Sequence, residues 1–378
     1  MARSYHPHRR SILAGAGMAA AAMWLGPTAL AATQQHSRRA IDIVGRSLVI
    51  DMLAPLSLTN TPDSYALPLS PAQLEDYRAS GITAFHNSVG FNGPGAHAEV
   101  MAYFAAWSGF VGRDSDHFTL ISLAEDLDRA KRSGKIAMIH GVQNADHFRT
   151  IEDVRTFYEL GQRVSQITYN RQNLLGSGST ERVDGGVTDF GAGIIARMNE
   201  VGMLVDVSHS GDRTTLDAIE ISTQPIAFTH SNCRALNNHP RLKTDEAIRK
   251  LAAKGGVMGI TGVRMFVRDR EPTTVEHMVD HIDHVVQLVG IEHVGIGSDS
   301  DLYGYDKMPD AANRELRSHY KTSYAFRSRL DTDGYDHPRK IFDLTEALIR
   351  RGYSDANIAA ILGGNFRRLL GTVWKAPT

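Results

Sequence analysis

The feature that most constrains the fold is an alternation of short β-rich runs with helical stretches along the 378-residue chain. Seven of eight predicted strands follow a stretch whose apolar periodicity predicts a helix. Glycines stand at many helix-to-strand junctions, as is typical of helix C-caps. The eight predicted strands are 48–52, 83–89, 135–142, 165–169, 203–207, 225–229, 256–261 and 293–297. Eight strands each followed by helical sequence predict an α/β protein folded as a (β/α)8 barrel.

Two histidines end neighbouring predicted strands. The strand 203–207 runs into His209, the helix Asp212–Ile221 follows, and the strand 225–229 runs into His230. A parallel strand–helix–strand unit brings both strand ends to the same edge of the sheet. Two neutral imidazoles that meet at one point suit a borderline metal such as zinc. Local capping by each histidine is the alternative, and the matched pair favours a metal or catalytic role.

The eighth predicted strand is followed by a carboxylate and a long polar segment. Asp299 stands directly at the strand end, where a barrel carries its chemistry. A carboxylate there can ligate a metal or act as a general acid and base, or it can simply cap a turn. Residues 301–336 are polar and poorly periodic, which predicts a lid or substrate loop at the barrel mouth.

Five motifs resemble the membrane (renal) dipeptidase family, peptidase family M19, within the metal-dependent amidohydrolase-type barrels. The resemblance runs from about residue 41 to residue 373, nearly all of the chain that follows the first 31 residues. It implies a TIM barrel that hydrolyses dipeptides with two zinc ions. The motifs are DGGVTDFG at 184–191, MNEVGMLVDVSHS at 198–210, PIAFTHSNCRAL and NNHPR within 225–241, VGIGSDSD at 294–301 and LGGNFRRLL at 362–370.

The resemblance assigns roles to single residues. His209 and His230 match the two histidines that hold one of the family's zinc ions. Asp299 matches the aspartate that works as general acid and base. Arg241 matches the arginine that receives the substrate's C-terminal carboxylate, and a guanidinium fork suits that planar anion. Tyr169 aligns with the histidine that polarises the substrate, which makes it a substrate-binding candidate.

Other family positions depart from the pattern. The first strand should end in Asp-x-His-x-Asp, but Leu53 and Pro55 stand where the second-zinc ligands belong. Neither side chain can ligate. Gln143 stands in place of the bridging glutamate, and its amide lacks the charge that balances two dications. His140 has the opposite strand parity to Gln143 and should face the helix layer.

These departures make one zinc ion a better prediction than two. His209 and His230 would hold it with a water or Asp299, since two histidines and one carboxylate resemble many mononuclear hydrolase sites. His86 and Asp51 are the candidates for rebuilding a second site. A single metal can still polarise a carbonyl.

The first 31 residues are predicted to be a twin-arginine-type signal peptide. Arg9 and Arg10 precede an apolar run at 14–25 that is too short to span a bilayer, and a small-residue cleavage site ends at Ala31. Residues 32–378 are then one barrel domain, located in the periplasm or secreted, with no stable membrane anchor after cleavage. Without the three arginines of the signal, 38 basic residues face 42 acidic ones, so no basic surface predicts nucleic-acid binding. The one cysteine, Cys233, excludes an internal disulfide.

The sequence therefore predicts an exported zinc metallodipeptidase that cleaves dipeptides or related small amides, including those with a D-residue or a cyclic element. Two alternatives stay open. One is a binding or accessory protein of the same fold that has lost hydrolysis, and the other is a barrel hydrolase that acts on a non-peptide metabolite. A homodimer is compatible with the sequence.

Overall fold

The computed structural model describes residues 36–58 and 66–376, in which eight parallel strands close into a ring. Around the ring the order is β1-β2-β4-β5-β6-β7-β8-β9, and β9 pairs with β1 again. The ninth strand, β3, pairs with β4 alone. The predicted (β/α)8 barrel is confirmed. The strands are β1 Ile50–Asp51, β2 Ala84–Val89, β3 Phe118–Leu120, β4 Ile136–Val142, β5 Gln162–Gln166, β6 Leu204–Asp206, β7 Ala227–Ser231, β8 Val257–Ile260 and β9 Val294–Ile296.

Helices follow the strands and surround the ring. The helix α7 between β6 and β7 covers Asp212–Ile221, as predicted. A π-helical turn at Ala360–Gly364 joins α13 to α14. The helices are α1 Arg38–Arg46, α2 Pro71–Ala79, α3 Ala96–Arg113, α4 Ala124–Ser133, α5 Asp153–Glu159, α6 Asp189–Val201, α7, α8 Asp245–Ala253, α9 Arg264–Val267, α10 Val275–Val289, α11 Asp310–Ser318, α12 Lys340–Arg350, α13 Asp355–Ala359 and α14 Asn365–Val373.

The helix α14 packs its apolar face against strand residues. Phe366, Leu369 and Leu370 are fully buried in one cluster with side chains from the strands around the ring. A Cβ atom at Gly295 on β9 would lie 2.5 Å from the Phe366 ring, so only glycine admits this close approach. The apolar cluster at this end leaves the opposite, carboxyl-terminal strand ends for polar chemistry.

The two ends of the described chain are joined. Asp51 of β1 pairs with Ile296 of β9. The helix α1 lies against the C-terminal helices, where Arg39 donates to Asp355 at 3.0 Å. His36 lies 3.2 Å from Asp343 on α12, and both side chains are buried. The first strand is thus held in the ring by its pairing with the last strand.

The prediction was wrong in two local features. The strand predicted at 165–169 lies at 162–166, because Gly161 ends the preceding turn with a φ of +101° and the strand begins at once. The strand was hard to predict because it contains buried polar residues. Among them is Arg163, whose guanidinium donates to backbone carbonyls, including that of Ser122 at 2.8 Å. The short strand β3 was missed because it has only three residues.

The predicted signal peptide lies outside the described residues. Within 36–58 and 66–376, no helix is both long and apolar enough to span a bilayer.

Candidate active site

A cavity of about 700 Å³ opens at the carboxyl ends of the strands. Gln143 follows β4, Tyr169 and Asn170 follow β5, and Asp299 follows β9, and all four line it. Much of the remaining wall comes from residues 305–324. These belong to the segment 301–336, here called the lid segment, which the sequence placed at the barrel mouth. A large cleft with convergent polar groups is the usual form of a ligand site.

The two predicted metal ligands face each other beneath this cavity. The Nε2 atoms of His209 and His230 lie 2.9 Å apart, and both side chains are fully buried. Burial lowers the pKa of each imidazole well below its usual value, and the nearby Arg241 charge adds to the effect. Both rings are therefore neutral at pH 7.

Hydrogen bonds at the far side of each ring fix the tautomers. The Nδ1 of His209 donates to Asn170 Oδ1 at 2.8 Å, with the amide oriented as in the structure. The Nδ1 of His230 lies 2.8 Å from the Thr229 hydroxyl, which itself donates to Asp206 at 2.6 Å and so accepts from the ring. Each histidine thus carries its proton on Nδ1. In these tautomers two Nε2 lone pairs face one another, and a cation between them would pair with both.

Asp299 is held in a constrained conformation at the cavity wall. Its φ is +59°, a left-handed value that is rare for a residue other than glycine and that often marks functional sites. Its backbone N–H donates to the carbonyl of Leu53 at 2.8 Å, which ties the end of β9 to the end of β1. Burial raises the Asp299 pKa to about 7; Arg241 opposes the rise, whereas Asp51 and Asp206 add to it. This carboxyl can both give and take a proton near neutral pH.

Arg241 lies behind the histidine pair rather than on the cavity wall. It is fully buried and donates to the backbone carbonyls of Ser208 and His230. Its Nε has no partner among the described residues. The guanidinium also lies over the Phe266 ring, 5.2 Å from the centroid. In this structure Arg241 therefore braces the loops that carry the histidines.

Tyr169 separates the histidines from the cavity. Its ring stacks on His209 with the centroids 4.1 Å apart and an interplanar angle of 21°. Its hydroxyl lies 2.6 Å from that of Tyr320 in the lid segment, and burial raises the Tyr169 pKa well above its usual value. The phenol is therefore neutral, and it joins the barrel to the lid segment.

The altered family positions have structural roles of their own. Leu53 is buried, and Pro55 lines the cavity. The Nε2 of Gln143 donates to the Ser88 carbonyl at 2.9 Å, which leaves its Oε1 without a partner among the described residues. His140 stacks on Phe104 of α3, with the centroids 4.9 Å apart, and so faces the helix layer as predicted.

The two candidates for rebuilding a second metal site are bonded to neighbouring groups, Asp51 through its carboxylate and His86 through one ring nitrogen only. Asp51 accepts from the backbone N–H and the hydroxyl of Ser298 and from Leu53 N–H at 3.3 Å. His86 uses Nδ1 on the Met52 carbonyl at 2.6 Å. Its Nε2 has no hydrogen-bond partner among the described residues and packs where a side chain on Gly141 would be, 1.9 Å from the position of that Cβ atom.

The donor set around the histidine pair fits one metal ion better than two. Among residues 36–58 and 66–376, no group of three or more histidine, cysteine, aspartate or glutamate side chains could hold a metal. The pair itself offers two neutral nitrogens with converging lone pairs, the donors that zinc prefers. Zinc–nitrogen bonds of about 2.0–2.1 Å would require the two Nε2 atoms to move apart by only a few tenths of an ångström. Solvent or substrate would complete the coordination.

The structure brings together most, though not all, of the predicted site residues. Asp299 and Tyr169 line the cavity, whereas His209, His230 and Arg241 lie beneath it.

Sequence reasoning missed the residues that orient the histidines, Asn170, Thr229 and Asp206. Asp206 offered a signal, because a carboxylate inside the apolar run MLVDV needs several donors to be buried. It has them in Ser208 and Thr229, each through both its backbone N–H and its hydroxyl.

A parallel (β/α)8 barrel with a neutral histidine pair beneath its cavity and a carboxyl of raised pKa on the cavity wall is a barrel of the amidohydrolase type. The family described as membrane dipeptidase (peptidase family M19) matches residues 99–315, more than half of the chain. The chain belongs to this family.

Three similar proteins illustrate the relationship. The dipeptidase verJ of Clonostachys rogersoniana is 32% identical over 266 residues, which make up 70% of this chain and 62% of that protein. The chain therefore spans less than two thirds of this curated relative. An amidohydrolase from Pseudomonas aeruginosa is 30% identical with a TM-score of 0.77, covering 89% of this chain and 99% of that one. The dipeptidase AC, a metallo peptidase of family M19, shares the fold with a TM-score of 0.72 at 19% identity, covering 87% and 99%.

Proposed function

We propose that this protein is a metal-dependent hydrolase that cleaves dipeptides or related small amides with one zinc ion on His209 and His230. The observation that carries the proposal is the convergence of two Nε2 atoms 2.9 Å apart, beneath a cavity whose wall carries a carboxyl with a pKa of about 7. A bound zinc ion would supply Lewis-acid polarisation of the scissile carbonyl.

Asp299 would move the protons of the reaction. Its carboxylate form takes a proton from the attacking water as the water oxygen bonds to the carbonyl carbon. The resulting carboxylic acid then gives that proton to the amide nitrogen as the C–N bond breaks, which yields a carboxylic acid and an amine. A pKa of about 7 suits both halves of this exchange at neutral pH.

Other residues would hold the substrate and the ligands in place. Arg241 is proposed to read the substrate's terminal carboxylate, with its unpartnered Nε as the free donor. Tyr169 would shape the pocket where its ring stacks on His209. Asn170 and Thr229 would keep both imidazoles in the metal-binding tautomer.

The place of action is proposed to be the periplasm or the exterior, because of the arginine pair and apolar run in residues 1–31. The proposed partner is a small-molecule or dipeptide substrate.

A specific observation favours a second candidate, a binding protein without hydrolysis. The Tyr169 ring covers His209, and the histidine pair does not reach the cavity wall. With no third protein ligand in the described residues, a protein that only binds peptides could retain this arrangement.

One experiment separates the two candidates. The purified protein is analysed for metal per chain and assayed on L,L- and L,D-dipeptides, alongside His209→Ala and His230→Ala. We expect about one zinc per chain with turnover, and loss of both in each variant. The control is His284→Gln, which removes a partly exposed imidazole that is bonded to Asp245 and does not line the cavity. A folded, metal-free protein without turnover would leave the binding protein, and two metals per chain would contradict the one-ion site.

A further inference from the structure

The floor of the cavity carries buried polar atoms that the proposed chemistry does not use. Ser88, Gln143 and Asn170 all line the cavity, and all are at least nine-tenths buried. In each of them one polar atom has no hydrogen-bond partner among the described residues: Ser88 Oγ, Gln143 Oε1 and Asn170 Nδ2. Buried polar atoms are nearly always paired in folded proteins, so three orphans at one cavity floor need an explanation.

The orientation of Gln143 is fixed by its surroundings. Its Nε2 donates to the Ser88 backbone carbonyl, which can only accept, so Oε1 is the free atom. The backbone carbonyl of Gln143 accepts from Gln166 Nε2, and this bond holds the backbone at the end of β4. The unpaired atom of this floor residue is therefore a buried hydrogen-bond acceptor that carries no charge.

Asn170 presents the complementary donor. Its Oδ1 accepts from His209 Nδ1 and from the Ser179 hydroxyl at 3.2 Å, so Nδ2 is the remaining donor. This Nδ2 lies near the Tyr324 hydroxyl of the lid segment but has no partner at hydrogen-bond distance among the described residues. Gln143 follows β4 and Asn170 follows β5, and these strands are neighbours in the ring. Ser88, on β2, lies on the other side of β4, and its hydroxyl can donate or accept.

We infer that these three side chains form a subsite for a neutral amide group, and that the preferred substrates are dipeptides whose amino end is acylated. An amide group has one N–H for Gln143 Oε1 and one C=O for Asn170 Nδ2. An ammonium group has three donors and a charge, so it would meet an uncharged acceptor and an opposing N–H. Leaving such groups mismatched in a buried site weakens binding. The inference rests on the proposed function only for the statement that the bound amide belongs to a substrate.

Binding and cleavage are measured separately to test this. Calorimetry on the purified protein at low temperature compares N-acetyl-L-alanyl-L-alanine with L-alanyl-L-alanine, and mass spectrometry checks the recovered peptides for cleavage. N-isopropyl-L-alanyl-L-alanine adds similar bulk but keeps the positive charge. We expect the acetylated peptide to bind at least about tenfold more tightly than either charged peptide, a difference of about 1.4 kcal/mol.

Two variants locate the effect. Gln143→Glu places a charge on the floor at unchanged size, and we expect it to reverse the preference towards the ammonium peptides. Asn92→Asp adds the same charge elsewhere on the cavity wall and should leave the preference unchanged. Circular dichroism checks that both variants fold.

The outcomes distinguish the inference from the proposed function. Selective binding of the acetylated peptide without cleavage would retain the subsite and reject the hydrolase. Cleavage with equal affinity for all three peptides would retain the hydrolase and overturn the subsite. An unchanged preference in Gln143→Glu would also overturn it, because the selectivity would then come from other walls.

Discussion

The hydroxyl oxygens of Tyr169 and Tyr320 lie 2.6 Å apart, and this hydrogen bond links the ring over the histidine pair to the lid segment. The same Tyr169 ring stacks on His209. Movement of the lid segment and exposure of the histidines are therefore coupled through one phenol, since displacing Tyr320 removes the bond that holds Tyr169 in place.

Replacing Tyr320 with phenylalanine should loosen the lid segment. The variant loses one hydrogen bond, about 1 kcal/mol, while the ring packing against Tyr324 and Phe326 is kept. We expect faster amide exchange across residues 305–324, measured by hydrogen–deuterium exchange with mass spectrometry, and a several-fold higher KM. Tyr303→Phe is the control, because its hydroxyl bonds instead to Asp76 at 3.0 Å. Equal exchange in the two variants would contradict the role of the Tyr169 bond.

Asp299→Asn should stabilise the protein at alkaline pH. The folded-state pKa is about 7 against an ordinary value of 3.8, so the fold disfavours the charged form. The unfolded chain ionises first, and stability is lost as the pH rises from about 4 through 7. The asparagine side chain does not ionise in this range. We therefore expect the free energy of unfolding of the variant, relative to that of the natural protein, to increase by about 2 kcal/mol from pH 5 to pH 8.5. Urea unfolding of both proteins at pH 5 and at pH 8.5 measures this increase. A difference in stability between the two proteins that is the same at both pH values would refute the prediction.

Acid should destabilise the fold for the opposite reason. Burial lowers the pKa of seven buried histidines, to about 4 in His86 and about 3 in His140. The unfolded chain takes up these protons below about pH 6.5 and the folded chain does not, so stability falls as the pH falls through that range. We expect a Tm more than about 10 °C lower at pH 5 than at pH 7.5 by calorimetry. The other five histidines are His147, His209, His230, His239 and His281.

A substitution at one of these histidines tests the explanation. His140→Phe removes a ring whose two nitrogens have no partner in the described structure, and phenylalanine can keep the stack on Phe104. Unfolding of this variant should take up about one proton fewer. The slope of its free energy of unfolding against pH should therefore be lower by about 1.4 kcal/mol per pH unit. A natural slope in His140→Phe would mean that other groups cause the acid sensitivity.

Arg241→Lys tests the proposed reading of the substrate's terminal carboxylate. Lysine keeps the charge but loses the planar fork. We expect at least a tenfold higher KM for free-acid dipeptides and little change for the same peptides with an amidated C-terminus, measured by steady-state kinetics. An equal loss on both substrates would indicate that Arg241 acts only by bracing the carbonyls of Ser208 and His230.

The sequence predicted the ring of strands well, because buried parallel strands read as short apolar runs. It predicted least well the strand β5, whose residues QRVSQ look polar. Periodicity cannot show that Arg163 finds backbone carbonyls inside the fold.

The sequence predicted which residues form the site, but it did not predict that the histidine pair lies beneath the cavity wall. The spacing of His209 and His230 indicated convergence, and their Nε2 atoms lie 2.9 Å apart. The depth of the pair depends on which ring lies over it, and the stack of Tyr169 on His209 is a contact between the ends of two strands. The role of Asn170 was hidden for the same reason, because a hydrogen bond to a residue 39 positions away leaves no pattern in the sequence.

The pairing of β1 with β9 also governs how the chain can fold. Asp51 cannot reach its partner Ile296 until most of the polypeptide has been synthesised. A ribosome-bound chain that stops short of β9 would be a curved open sheet with two exposed edges, which is a template for aggregation. Both β1 and β8 pair with β9, so each has an unpaired edge until β9 has been synthesised. Chaperone protection during synthesis should therefore matter most for β1 and β8.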